Sequence, residues 1–591
     1  MIRTRSRIET DDKFKWALED LVGSDEICQV GFRKIKKSLL DIKKFKGQLN
    51  NLEKLEQALE LFLELSQKFE KFLVYSNMRL HQDTQNRYYQ ALSGEADILK
   101  VEFNAAISFI EPELLSLEES YLRNLSEKNV KYKHYIDNLI RLKGHVLSPE
   151  IEKILANAGD YASSYDNIFS MLNNADIKFD PVIDYKDNNI KHKLTHGNFL
   201  TFLENHDREI REQAYNNYYN PFLSRKYAIT AIFSSSIKSD VFFSRTRKFN
   251  SSLSSELFSF NLPDNIYKDL IKKVNNRLDI LHRYLEFRRE KLGLEKLKAF
   301  DLYVPIFKKI KLEIGYEEAK SIVIEALKPL GDDYAVKLSD AFNKSWIDVY
   351  ENKNKRSGAY SWGAYGCHPF VLLNYNNKLN DVFTLAHELG HAMHSSYSWS
   401  NQDYLYSHYT IFLAEIASTV NEILLINYFL DKYKNDNDMT DYLKNHFCEE
   451  FRRTIYRQTM FAEFELKIHE LAEEGEPLTF EYINKIYRKL NKKYHGEAVE
   501  FDDKSDFEWA RVPHFYNSFY VYQYATGFSI AYGFAERILS GDKDFYLEFL
   551  KSGSKDYTHE IIKKTGFDLS NPDFIDKTLD KYNDLVIELK K

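Results

Sequence analysis

The stretch Leu385-Ala386-His387-Glu388-Leu389-Gly390-His391-Ala392-Met393-His394 limits the fold more than any other part of the chain. His387 and His391 are four residues apart, so they share a face, one turn apart, only on an α-helix. That spacing lets two imidazoles bind one zinc ion. Glu388 stands beside it, where it can polarise a zinc-bound water. Phe383, Leu385, Ala386, Leu389 and Ala392 predict a largely apolar, buried helix over residues 383–395. A buried helix with three His and a Glu needs partners for those polar groups. The chemistry this motif points to is peptide hydrolysis. The plainer alternative is a surface helix that carries two His and a Glu by chance, and the apolar flanks argue against it.

Catalytic zinc takes three protein ligands and leaves a position for water. The next strong candidate is Glu415, inside the apolar, helix-forming run Ile411-Phe412-Leu413-Ala414-Glu415-Ile416-Ala417. Glu422 follows two helical turns later on the same face. An unpaired carboxylate on an apolar face is costly, so each predicts a partner. Glu415 is the expected third ligand, with a structural ion pair as its alternative. Glu422 is the expected acceptor that orients a ligating imidazole, although an exposed helix face explains it as well. His394 shares the face of His387 and His391. Three His on one straight helix span about 10 Å of rise, too far for all to reach one ion. His394 is therefore read as lying near the site, with ligation as the lesser alternative.

These residues, preceded by Asp381-Val382-Phe383-Thr384, resemble the thimet-oligopeptidase type of metallopeptidase, and within it most of all the bacterial oligoendopeptidase F branch. Further stretches carry the resemblance: Lys355 through Gly363 and Pro369 through Tyr375 upstream, Arg457 through Glu465 downstream, then Pro513-His514-Phe515-Tyr516 and Phe519 through Ala525. The resemblance runs over most of the chain and is weaker before about residue 130. It implies a cytosolic, zinc-dependent endopeptidase, with one zinc per subunit, acting on short peptides rather than folded proteins. It also implies a mainly α fold, two helical lobes around a deep substrate channel. The family draws oxyanion donors from a His and one or two Tyr in the late stretch. Carried over here, these are His514 and, among the tyrosines, Tyr522 first, then Tyr516 and Tyr520. The alternative is that these aromatics are core residues.

Composition narrows the setting. A net charge of -7 gives no reason to expect nucleic acid as a partner. The 11 Pro and 21 Gly in 591 residues favour long helices and few turns. Cys28, Cys367 and Cys448 are odd in number and far apart, which predicts neither a disulfide framework nor a thiolate metal site. The start of the chain, Met1 to Lys13, is charged and has no apolar core region, so it does not read as a secretory signal. No run of about 18 apolar residues is evident, so no membrane span is expected. A cytoplasmic protein is the expected class, read as a monomer.

In chain order, residues 39–128 read as long amphipathic helices. Leu52, Leu55, Leu59, Leu61, Phe62, Leu65, Phe69, Phe72 and Leu73 recur at three- and four-residue spacing. A helical scaffold domain over 1–190 and a catalytic domain over 191–591 are expected, with a soft boundary near 175–200. Ser357 to Tyr375 is the one stretch that reads as strand, a small sheet beside the zinc helix. An edge strand there could pair with a substrate backbone, which gives affinity without dependence on side chains. Gly358, Ala359, Tyr360 and Gly363 are the expected substrate-binding residues, with a purely structural hairpin as the alternative.

The expected reaction uses Glu388 to take a proton from water and pass it to the leaving nitrogen. A zinc carboxypeptidase of similar architecture is the same-class rival, and it would need a group to capture the peptide's free carboxylate. A peptide-binding protein without turnover is the rival of another class. Intact His387, Glu388, His391 and Glu415 argue against it.

Overall fold

The computed structural model describes residues 6–162, 164–187, 189–307 and 312–591. Residues 1–5 of the charged start lie outside them. Helices dominate, as the sequence predicts, and the described residues hold three small sheets of two or three strands. The chain forms two compact units that interleave in sequence. Unit 1 takes Met1–Val146, Leu312–Tyr428 and Phe534–Gly566; unit 2 takes Leu147–Lys311, Phe429–Gly533 and Phe567–Lys591.

The expected division near residue 190 is a different partition, and the reason is packing. The amphipathic helices Asp25–Ile42, Leu52–Gln82 and Arg87–Ile107 stack on one another in unit 1. Leu55, Leu59, Leu65 and Phe69 fill their core, while Leu52, Leu61, Phe62, Phe72 and Leu73 pack around its margin. The same core takes in Ala364, Phe370 and Leu372 from far along the chain. An apolar stripe on a helical hairpin must be covered, and here residues beside the metal helix help cover it. The chain moves into unit 2 at Leu147, before the helix Pro149–Ala162.

The stretch read as strand contains two short strands. Phe370–Leu372 is the fully buried middle strand of a three-stranded sheet. Ile347–Asp348 runs parallel to it on one side. Tyr360–Trp362 runs antiparallel on the other, with Ser361 opposite Val371. Tyr360–Trp362 is thus an edge strand, and it packs on the metal helix. Strand structure is not confined to this stretch, since two further two-stranded sheets pair Val182–Asp184 with Ile190–His192 and Leu297–Lys298 with Val499–Glu500.

The metal helix spans Leu379–Asn401, longer at both ends than expected. The Asp381 carboxylate closes its start by accepting the N–H groups of Asn376 and Lys378, both at 2.9 Å. The next helix, Ile411–Lys432, is long and apolar enough to cross a membrane by length and composition, contrary to expectation. Of its most apolar window, 61% is buried inside the protein, which is the pattern of a core helix.

Candidate active site

Two helices of unit 1 build the site, and a glycine lets them meet. A β-carbon on Gly390 would lie 2.8 Å from the Ala417 carbonyl oxygen. Only a residue without a side chain permits that approach. The pair is then held in register by a buried amide. Asn421 Nδ2 donates to the Ala386 carbonyl at 3.0 Å, and the Tyr334 hydroxyl donates to Asn421 Oδ1 at 3.1 Å. This register carries Glu415 and Glu422 up to the two histidines.

The histidines converge. His387 Nε2 and His391 Nε2 stand 3.2 Å apart. Glu415 Oε2 is 3.8 Å from His387 Nε2. Ligand atoms of His387, His391 and Glu415 all lie within 4.8 Å of one another. His387 Nδ1 is engaged by the Glu422 carboxylate, so Nδ1–H donates and Nε2 is the ring nitrogen that faces inward. The His391 ring bonds the Ala414 backbone. Two imidazoles that aim nitrogens at one point beside a carboxylate form the donor set of a cation site. The residues fit a metal.

Charge follows burial. Burial works against a charged His387, but the Glu422 hydrogen bond, aided by the charges of Glu422, Glu388 and Glu415, outweighs it and holds the ring up to about 9. Burial, and then the neighbouring His387, push His391 down to about 3. Glu388 is pushed up to about 7, by burial first and then by the like charges of Glu415 and Glu422. His387 and the Ser361 N–H, which donates to the Glu388 carboxylate, hold it back from rising further. Burial also raises Glu415, with Glu422 adding to it, while His387 and Ser418 oppose the shift.

His394 lies elsewhere. It is 1% exposed and stacks on Tyr409, with ring centroids 3.6 Å apart and planes within 5°. Neither of its ring nitrogens has a hydrogen-bond partner among the described residues. Burial keeps it neutral. It is absent from the converging group, so the reading that it is near the site without being a ligand is the one this geometry favours.

The expected substrate residues divide. Gly358 is exposed, with φ +86°, and its carbonyl accepts Asn374 Nδ2 at 2.8 Å. Ala359 is half-buried before the edge strand. The Tyr360 ring turns inward against Trp16 and His81. Gly363 is buried for a different reason than substrate approach. A β-carbon there would stand 2.8 Å from the Trp399 ring and 3.0 Å from Pro369 Cα. One N–H of the edge strand, that of Ser361, is taken by Glu388.

In unit 2, Phe519 adopts φ +55°, and its N–H donates to the buried Glu465 carboxylate at 2.8 Å. This bend precedes the helix Tyr522–Leu539 and sorts the aromatics. Tyr520 and Tyr524 flank His514. The Tyr520 ring is parallel to His514 at 5.9 Å, and the Tyr524 hydroxyl is 3.4 Å from His514 Nε2. Burial, then the Arg457 charge, lower His514 and keep it neutral. Tyr522, the tyrosine expected first, is only 1% exposed and packs against Tyr267 at 5.2 Å. Tyr516 stacks on Phe169 at 4.5 Å. Tyr524 was not among the expected residues.

The sequence profile of peptidase family M3 matches residues 201–581, and that of oligopeptidase F matches residues 113–179. The chain belongs to peptidase family M3. It is 40% identical to oligopeptidase PepF of Bacillus subtilis, over 99% of this chain and 89% of that protein. Group B oligopeptidase PepB of Streptococcus agalactiae is 38% identical over 100% of this chain and 98% of its own. The crystal structure of oligoendopeptidase-F from Enterococcus faecium superposes with a TM-score of 0.75 at 34% identity, covering 96% of this chain and 98% of that one.

As a member of family M3 the chain is a metalloendopeptidase, a hydrolase. Its site adds residues that sequence reasoning missed. Gly390, Asn421 and the Ser361 N–H hold the metal helix, its partner helix and Glu388 in place. Only Gly390 left a signal, because a glycine inside a helix costs about 1 kcal/mol relative to alanine unless close packing needs it.

Proposed function

We propose that this M3 peptidase is a zinc-dependent endopeptidase that cuts internal bonds of short, unfolded peptides. The observation that carries the reading is the convergence of His387 Nε2 and His391 Nε2 at 3.2 Å with Glu415 beside them. His387, His391 and Glu415 would hold one zinc per subunit. When bound, zinc lowers the pKa of a coordinated water and draws off carbonyl charge.

The chain's own residues do the rest. Glu388 is mostly buried and sits next to His387, and its raised pKa suits a group that both takes and returns a proton near neutrality. It would accept the proton of the attacking water and hand it to the leaving nitrogen. The Ser361 N–H steadies the carboxylate for both steps. Glu422 fixes the orientation of His387. For hydrogen-bond donation to the oxyanion we favour His514 and Tyr520, with Tyr524 beside them, because these rings are half-buried rather than sealed in the core. Tyr516 is also half-buried, with its ring against Phe169, and it ranks behind them. The exposed Gly358 and the half-buried Ala359 lead into the edge strand and are the better candidates for meeting a substrate backbone. The names of the relatives, oligopeptidase and oligoendopeptidase, support short peptides as substrates. Free Cys28, Cys367 and Cys448 suit a reducing, cytoplasmic setting, and we read the enzyme as a monomer.

The test is a short internally quenched peptide, cut by wild type and by Glu388→Gln, with products identified by mass spectrometry. An internal cut that disappears in the variant while zinc is retained is the expected result. Removal of C-terminal residues alone would favour a carboxypeptidase. No cleavage by zinc-loaded wild type would favour a peptide-binding protein.

A further inference from the structure

Unit 2 contains a cavity of about 40 Å³ whose wall includes Arg452, Arg457, Arg511, Tyr219, Tyr303 and Glu508. That is room for about three water-sized groups. The charge around it does not balance. Arg457 and Arg511 share one carboxylate oxygen of Glu508, at 2.6 and 2.9 Å. Arg288, Arg452 and Arg453 share Glu449, at 3.1, 2.7 and 3.6 Å. Five guanidiniums thus divide two carboxylates. Arg288 and Arg452 are nearly sealed from solvent, at 1% and 3% side-chain exposure. The other oxygen of Glu508 accepts the Tyr487 hydroxyl at 2.9 Å.

Aromatic faces take up part of the excess. Arg452 lies over Tyr303 at 5.2 Å, Arg457 over Phe461 at 4.3 Å and Arg511 over Tyr219 at 5.8 Å. A ring face is worth less to a buried cation than a carboxylate is. Specific donors are also left over. Arg452 donates through Nε and Nη2, Arg457 through Nη2, and Arg511 through Nε and Nη2. The Nη1 groups of Arg452 and Arg457 donate to no acceptor among the described residues, whereas Arg511 also bonds Tyr218. Three guanidiniums on one wall with Glu508 as its one carboxylate leave positive charge for an anion to meet.

The backbone is shaped for this wall. Residues Phe451–Tyr456 form a π-helical segment between the helices Asn437–Glu450 and Arg457–Glu473. On an α-helix, Arg452 and Arg457, five residues apart, would point about 140° apart. The wider π turn brings such a pair onto one face, and segments of this kind recur at functional sites.

We propose that this cavity binds the free C-terminal carboxylate of a peptide. A carboxylate is a small planar oxyanion that matches guanidinium N–H pairs, and the volume admits that group but not a further large side chain. The Arg457 charge also acts on His514, one of the residues assigned to oxyanion donation. The proposal rests on the reading that peptides are the substrates. It also supplies the carboxylate-capturing group that the sequence did not reveal. A free phosphate offers the same chemistry from another source, and the test separates the two.

Matched peptides, one a C-terminal free acid and one its amide, are titrated calorimetrically into the zinc-loaded Glu388→Gln protein. The free acid is expected to bind about 10- to 100-fold more tightly. In wild type the same ratio is expected in KM, with kcat changed less. Equal dissociation constants for acid and amide would overturn the proposal. Inorganic phosphate that binds without competing with the free acid would mark a free-ion site and overturn it too. Arg457→Lys, which keeps the charge but loses the fork, is expected to pull the acid-to-amide ratio toward one. If that variant does not fold, the wild-type ratio still decides. Calorimetry needs no turnover, so a protein that cleaves neither peptide would sink the endopeptidase reading without touching this one.

Discussion

The Gly390 α-carbon faces the backbone of Ser418 so closely that a β-carbon on it would stand 2.5 Å from the Ser418 α-carbon. The obstacle is backbone, which cannot swing aside as a side chain can. Gly390→Ala must therefore push the two ligand-bearing helices apart. It is expected to destabilise unit 1 by about 1–3 kcal/mol and to lower zinc affinity at least about tenfold. Zinc content after dialysis against a graded chelator reads the second effect. Unchanged affinity would mean that the helix contact does not set the site.

Glu422→Gln keeps the shape of the side chain but removes the charge that orients His387. Zinc affinity is expected to fall about 10- to 100-fold. Equal zinc affinity in the variant would reduce Glu422 to a surface residue near the site.

His394→Phe separates a ligand from a core residue. The ring stacks on Tyr409 and packs at 5.2 Å from Phe549, so phenylalanine fits the same slot and removes two unpartnered ring nitrogens. One zinc per chain and near-normal turnover are expected, with stability equal or higher. Loss of the metal would show that His394 is a ligand after all.

The candidate metal site is legible because it is local. His387, His391 and the pair Glu415 and Glu422 declare themselves by helical spacing within two short runs. The tyrosines were not legible, because the left-handed bend at Phe519 and the helix start at Tyr522 break any single period. The division into units was hidden for a related reason. Two of its boundaries fall inside the continuous helices Ile411–Lys432 and Tyr522–Leu539, the second beside Gly533, a glycine within the helix rather than in a linker. The Arg452 and Arg457 cavity wall depends on a π turn, and residue spacing alone gives no sign of one.

The sorting of the tyrosines is testable by kinetics. Tyr520→Phe is expected to lower kcat about 100- to 1000-fold with little change in KM, as loss of one oxyanion donor does. Tyr522→Phe, in the core against Tyr267, is expected to leave kcat within a few-fold. The reverse order would restore Tyr522 as the donor.

His81 makes stability depend on acid. Its Nε2 accepts Arg356 Nη1 at 2.8 Å, so its Nδ1–H donates to the Tyr360 hydroxyl at 2.6 Å. A protonated ring would face the guanidinium with a second N–H. Burial first, then the Arg356 charge, push the ring down from 6.5 to about 4. The unfolded chain gains this proton below about 6.5, whereas the folded chain gains it only near 4. The stabilisation is therefore present above pH 6.5 and is lost as pH falls toward 4. Between pH 7 and pH 5 the loss from this residue is about 2 kcal/mol. His81→Gln does not titrate, so urea unfolding at the two pH values should show a drop for wild type that exceeds the variant's by that amount. Other buried histidines contribute equally to both proteins and cancel. Parallel drops would mean that His81 keeps an ordinary pKa and that its contact with Arg356 does not hold the ring neutral.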